Sequence, residues 1–277
     1  MAVACISSMS ASPSRACLII DALFRFFVSL MKPAASTPPI CIIKAGSTFP
    51  EIVAETGDFE DWLIAGLGLP ETEVRVINAV EAAKLPPPAD CAGVVISGAH
   101  AMITDDLPWM LRLSDWTRRV VTAQVPFLGI CFGHQMLARA MGGQVDFHPK
   151  GREIGSVDIE LHAAAESDLL FAAMPKRFRA HAVHAQTVSK LPSGATLLAS
   201  NEYEATHAFR VGVCAWGVQF HPEFNPARMA VYLDHFAPVL QTAGVDAASI
   251  RAALVDTPES AGLLSRFVRL AKAEAFE

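Results

Sequence analysis

Residues 125–143 read VPFLGICFGHQMLARAMGG: an apolar strand-like run, then a helical pattern, with Cys131 at the junction between Gly129 and Gly133. Glycine inside a regular element costs backbone entropy and gives up packing, so a cysteine that is only buried needs neither neighbour. The pair predicts a turn tight enough to lay the start of a helix back against the strand that precedes it. In that geometry, a nucleophile elbow, the turn residue projects its side chain at the sheet edge above the helix N-terminus. The free N–H groups and partial positive charge there favour a thiolate over a thiol. Cys131 is therefore a candidate nucleophile, against the plainer reading of a core cysteine, since free cysteine is among the most buried residue types.

The rest of the chain says what kind of sheet carries this turn. From Ile40 onward, strand-like runs (ICIIKAG, EVRVINA, CAGVVISGAH, PFLGI) alternate with helical patterns (FEDWLIAGLGL, LPWMLRLSDWTRRVVTAQ, HQMLARAMGG). This alternation predicts an α/β fold with a mostly parallel central sheet and helices on both faces. Ligands in such sheets bind at the carboxyl ends of the strands, which draws attention to Gly98 after VVIS and to Cys131 after FLGI. The following stretch is richer in strands (SVDIEL, RAHAVHAQTVSKLP, ATLLASN, HAFRVG, AWGVQFHPEF) and residues 226–277 return to helix. The expected organisation is an N-terminal extension over 1–39, a catalytic domain over 40–240, and a C-terminal helical extension over 241–277 packed on the same domain.

Composition closes off several classes. A chain of 277 residues, 52% hydrophobic, suffices for one large α/β domain. Its net charge of −6 comes without a basic stripe, so nucleic acid is not an expected partner. The six cysteines lack CxxC spacing and the histidines are dispersed, so neither a disulfide framework nor a metal site is expected. No GxxxxGK[ST] stretch is present, and no nucleotide or other cofactor is expected. Within 1–39, ACLIIDALFRFFVSLM is interrupted by Asp21 and Arg25, too charged and short for a membrane span. That segment reads as a flexible or amphipathic extension, or as residues upstream of a true start at Met31, more readily than as a secretory signal. The expected location is the cytoplasm.

A thiolate nucleophile needs a proton carrier and something to orient it. GVQFHPEF offers both: were residues 216–221 a strand, its period of two would turn His221 and Glu223 to one side. Glu223 would then accept from one imidazole nitrogen and leave the other for Cys131, which is the logic of a triad.

GICFGHQMLARAMGG together with GVQFHPEF resembles the two defining motifs of class I glutamine amidotransferases, Cys-His-Glu enzymes with a flavodoxin-like sheet. The resemblance covers about residues 40–240 and is strongest to stand-alone members similar to the glutaminase domain of GMP synthase. It implies that Cys131 attacks the side-chain carboxamide of glutamine, that His221 protonates the departing ammonia and then activates water, and that Glu223 holds His221. It also implies an oxyanion hole from the N–H groups of Gly98 and Phe132, and substrate contacts from Gln135. The match loosens at VHAQTV: where many relatives have His-Gly-Asp or His-Gly-aromatic, His184 is followed here by Ala185 and Gln186, so these two are the expected substrate-contacting positions of an altered turn. Arg152 and Glu153 of GREIG lie near the site in such relatives, but read most simply as solvated turn charges. The stretch AHAMITDDLPWM reads as a connection rather than a lid.

The ~50 residues beyond His221 fall far short of a synthetase domain, given typical domain sizes. Three readings follow: a glutaminase that hands ammonia to a separate synthetase, a stand-alone γ-glutamyl peptide hydrolase, and a non-catalytic regulatory relative. The first is the leading expectation, and the intact Cys131, His221 and Glu223 count against the third. The expected ligand is glutamine or another γ-glutamyl small molecule, with no membrane involved.

Overall fold

Short runs of branched and apolar residues form the central strands: β1 (Ile40–Lys44), β2 (Val74–Asn78), β3 (Gly93–Ile96) and β4 (Phe127–Ile130). The computed structural model describes residues 37–273, which from Pro38 onward belong to one compact unit. The readings made above for the N-terminal extension, including Met31 as a start, fall on residues 1–36 and lie outside the described residues.

The strands continue with β5 (Gln144–Phe147), β6 (Glu153–Leu161), β7 (Arg177–His184), β8 (Gln186–Lys190), β9 (Thr196–Ser200), β10 (Ala208–Val211) and β11 (Ala215–Val218). Nine of them form one sheet in the order β2-β1-β3-β4-β11-β10-β9-β6-β7, while β5 and β8 pair separately. From β2 to β11 every pairing is parallel, as the strand and helix alternation requires. Beyond β11 the pairings are antiparallel, which accounts for the strand-rich second half of the chain.

Helices cover both faces: α1 (Pro50–Thr56), α2 (Phe59–Leu67), α3 (Pro108–Thr122), α4 (Phe132–Ala140), α5 (Pro226–Thr242), α6 (Ala247–Ala252) and α7 (Pro258–Lys272). The period of two in β1 sends Ile40 and Ile42 to one face, where they pack with Leu63 and Leu67 of α2 and Leu263, Leu264 and Phe267 of α7. Cys41 and Ile43 go to the other, against Leu113 and Trp116 of α3 and Met136 and Leu137 of α4. Being covered on both sides is why β3 and β4 are apolar without alternation. Strand β2 lies at the sheet edge and is partly exposed. The helices start where their sequence lets them: Pro108, Pro226 and Pro258 supply a preset φ at the first turn. Asp58 forms a capping box with Asp61 at α2, which ends on Gly68 in the left-handed region. Among the described residues no helix is long and apolar enough to cross a membrane.

Candidate active site

The turn between β4 and α4 is where the sequence and the backbone meet most directly. Cys131 has φ 51° and ψ −98°, a conformation L-residues rarely adopt and one that persists only where the surroundings hold it. Three neighbours hold it. Its N–H donates to the Val218 carbonyl at 2.8 Å, β4 is locked between β3 and β11, and α4 folds back beneath it. A Cβ on Gly129 would collide with the Gly133 carbonyl, and one on Gly133 would sit 2.5 Å from the Ile96 carbonyl oxygen. The two glycines are needed for backbone contact; φ is positive at Cys131 itself and at neither glycine.

His221 and Glu223 reach Cys131 by another route than a continuing strand. Strand β11 ends at Val218, and the chain turns through Pro222, so the expected strand through residue 221 is not what orients the pair. Instead the His221 N–H donates to the His181 carbonyl of β7 at 2.8 Å. The antiparallel arm of the sheet thereby fixes the turn. His221 Nδ1 and Glu223 Oε1 lie 2.7 Å apart, both residues buried. The other ring nitrogen, Nε2, is buried and forms no hydrogen bond of ordinary geometry among the described residues. Burial opposes a charge on His221, but the Glu223 carboxylate and the adjacent Cys131 sulfur override it and push its pKa up to about 10. Cys131 Sγ also lies 3.8 Å from the Val183 carbonyl oxygen.

Gly98 and Phe132 flank the same spot. A Cβ on Gly98 would come within 2.9 Å of His221 Cε1 and 3.5 Å of the Phe59 ring, so a side chain there would push into the histidine. The Gly98 carbonyl accepts from the Ser97 hydroxyl, whose oxygen also accepts from the Ala45 N–H. This ties the ends of β3 and β1 together. Phe132, the first residue of α4, has its N–H at an open helix N-terminus.

Cys131, Phe132 and His221 line one cavity of about 220 Å³, together with Gln135, Ala185 and Gln186. The Gln135 side-chain amide donates to the Gln186 carbonyl and to Gln219 Oε1, each at 3.0 Å, so its NH₂ is engaged in fixing the wall. Gln186 is buried and its side chain is bonded into the wall: it accepts from the Ile103 N–H at 2.9 Å and donates to Thr104 Oγ1 at 2.7 Å. Arg139 adds a bond to the Ile103 carbonyl and an ion pair to Asp106. The 102–106 segment is thus pinned at several points.

Glu153 corrects a sequence expectation. It is buried, not solvated: its carboxylate meets His184 Nε2 at 2.8 Å, His207 Nε2 at 3.1 Å and Asn201 Nδ2 at 2.8 Å. Burial alone would raise its pKa, yet the two imidazoles hold it far below the usual carboxylate range. The pairing of β6 with β7 places Glu153 opposite His184, and that partner is invisible in the local sequence. Arg152, its neighbour, is a turn charge no more than Glu153 is: it lines the cavity with its guanidinium over the Phe236 ring, 4.0 Å from the centroid. Sequence reasoning also passed over Phe49, His100, Tyr232, His235 and Phe236. The last three stand at i, i+3 and i+4 on α5, so one helical face was available as a signal. Among the described residues no cluster of three or more His, Cys, Asp or Glu side chains is placed to hold a metal ion.

Comparison with known proteins finds relatives in both sequence and fold. The family model described as "Glutamine amidotransferase class-I" matches residues 57–237. Gamma-glutamyl peptidase 4 of Arabidopsis thaliana is 33% identical over 135 residues, 48% of this chain and 54% of that protein. The match thus spans about half the length of that relative. A glutamine-hydrolyzing GMP synthase polypeptide of Methanococcus vannielii is 30% identical over 151 residues, 54% of this chain and 74% of that one. The crystal structure of a glutamine amidotransferase from Methylobacillus flagellatus superposes with a TM-score of 0.65 at 27% identity, covering 85% of this chain and 93% of that chain. One from Thermotoga maritima, at 21% identity and a TM-score of 0.66 over 85% and 99%, shares the fold. With the family model spanning most of the chain, and with the nucleophile-elbow turn and the His221–Glu223 pair just past the carboxyl ends of β4 and β11, this chain belongs to the class-I glutamine amidotransferase family.

Proposed function

We propose that the chain hydrolyses γ-glutamyl amides through a Cys131 thioester, and that its leaving group is larger than ammonia. The elbow conformation of Cys131, with the His221–Glu223 pair beside it, supports the first part. Cys131 gives its proton to His221 Nε2, and its sulfur attacks the γ-carbonyl carbon, forming the C–S bond as the carbonyl π bond opens onto oxygen. The resulting oxyanion is met by the N–H groups of Gly98 and Phe132. As the C–N bond breaks, His221 Nε2 gives its proton to the departing nitrogen, and Glu223 steadies the imidazolium. Water then gives its proton to His221 and attacks the thioester carbon, the C–S bond breaks, and glutamate and the free thiol are regenerated. Gln135 and the Ala185–Gln186 turn shape the wall on the glutamyl side.

One observation carries the second part. From His221, the group that would protonate the leaving nitrogen, a series of neighbouring aromatic rings lines the cavity: Phe59 at 6.4 Å, His100 at 6.4 Å from Phe59, Phe49 at 4.3 Å from His100, and Phe236 at 6.0 Å from Phe49. Ammonia needs no such wall, whereas an amino acid or peptide would pack against it. This reverses the order that sequence alone suggests. Supply of ammonia to a separate synthetase is the second reading, favoured by the likeness to a glutamine-hydrolyzing GMP synthase polypeptide over 74% of its length.

The test is product analysis with glutamine beside a panel of γ-glutamyl dipeptides, using Cys131→Ala as the blank. Higher kcat/KM on dipeptides is expected. Preference for free glutamine would move the assignment to the ammonia-supplying reading.

A further inference from the structure

The geometry points to Arg152 as the residue that selects the leaving group, by pairing with a carboxylate on it. This rests on the γ-glutamyl hydrolase reading and names the substrate class within it: γ-glutamyl amino acids and peptides with a free C-terminal carboxylate and an apolar or aromatic body.

Three observations converge. The Arg152 guanidinium lines the cavity but forms no ion pair or side-chain hydrogen bond with any described residue, while arginines outside it, such as Arg139, Arg177 and Arg251, each hold a carboxylate. Stacking on Phe236 covers the flat face of the half-buried guanidinium and leaves the N–H groups at its rim, a planar fork that matches a carboxylate in two-point fashion. Second, no Asp or Glu side chain lines the cavity, so a cationic leaving group such as a polyamine would find no counter-charge and would meet Arg152. Third, the Arg152 guanidinium is stacked on Phe236, whose ring neighbours that of Phe49 in the same cavity. A leaving group whose nitrogen is protonated at His221 would run its apolar side chain along Phe49 and Phe236 and end at the guanidinium. Burial, with His235, His221 and Arg152 nearby, lowers the proton affinity of the neighbouring His100.

Three probes test this: γ-glutamyl-phenylalanine, the same compound with its C-terminus amidated, and γ-glutamyl-putrescine. Each is assayed with wild-type protein, Arg152→Gln and Arg152→Lys, all checked for folding by thermal melt. Wild type is expected to favour the free acid over its amide by about ten- to hundredfold in kcat/KM, the scale of a charge-assisted hydrogen bond, with the difference carried by KM. Putrescine should be the poorest leaving group. In Arg152→Gln the acid-to-amide ratio should fall to near one, and Arg152→Lys should restore part of it. If wild type cleaves acid and amide equally, or if Arg152→Gln keeps the wild-type ratio, Arg152 is not the selector although the hydrolase reading stands. If wild type cleaves none of the three but releases ammonia from glutamine, both readings fall together.

Discussion

Replacing Glu223 by Gln removes one charge from a buried pair while keeping its shape, and the consequence can be worked out from His221. The imidazole sits at about 10 against an ordinary 6.5, a gap worth about 4 to 5 kcal/mol at about 1.4 kcal/mol per unit. Burial acts against this gap, and the Glu223 charge is the largest influence that produces it, with Cys131 next. Loss of Glu223 alone should therefore remove about 2 to 4 kcal/mol, in line with the cost of breaking a buried pair by removing one partner. Because the folded value lies above the unfolded one, the stabilisation is complete below about pH 6.5 and disappears as pH rises through about 10. Urea unfolding of wild type and Glu223→Gln should accordingly show a wide gap near about pH 6.5 that narrows above about pH 10. Turnover should fall by about a hundred- to ten-thousandfold, the range expected when the group orienting a catalytic histidine is neutralised. An equal stability deficit at both pH values would refute the argument, because it would mean that Glu223 acts by packing and not by charging His221.

Two further predictions concern the backbone and the buried network. Gly133→Ala places a methyl 2.5 Å from the Ile96 carbonyl, where neither side is a flexible side chain. We expect a loss of about 1 to 3 kcal/mol in chemical denaturation and a much larger proportional loss of activity, since about 1 Å of displacement at a nucleophile costs on the order of a hundredfold. Glu153→Gln should flatten the acid limb of the stability curve. With its folded pKa depressed by His184 and His207, wild-type Glu153 contributes stability that is present above its unfolded value of about 4.3 and drains away as pH falls below it. Unfolding midpoints measured downward from about pH 6 check this, and parallel curves for variant and wild type would count against it.

The sequence made the elbow legible because the requirement there is local: Gly129 and Gly133 are needed by contacts within five residues of each other and with Ile96. The parallel half of the sheet was legible for the same reason, as each strand and helix shows its own period. The His221–Glu223 pair was found although the geometry imagined for it was not the real one. The histidine is set by a main-chain bond to His181, forty residues away in the chain, and only the register of the antiparallel arm supplies that. Glu153 was misread because its partners, His184 and His207, lie on other strands and in loops that pattern reading cannot fold. Likewise, the aromatic wall is gathered from Phe49, Phe59, His100 and Phe236. No periodicity connects these positions: Phe49 and His100 lie in loops, Phe59 and Phe236 on two separate helices, and loop paths are what a single sequence reveals least.

The central claim is that Cys131 forms a covalent γ-glutamyl intermediate, and rapid-quench mass spectrometry of the protein mixed with a γ-glutamyl dipeptide addresses it most directly. The account predicts an adduct of one γ-glutamyl group on the peptide that contains Cys131, formed before steady state and absent in Cys131→Ala. Turnover that survives in Cys131→Ala, or an adduct on Cys41, Cys91 or Cys214 instead, would contradict it.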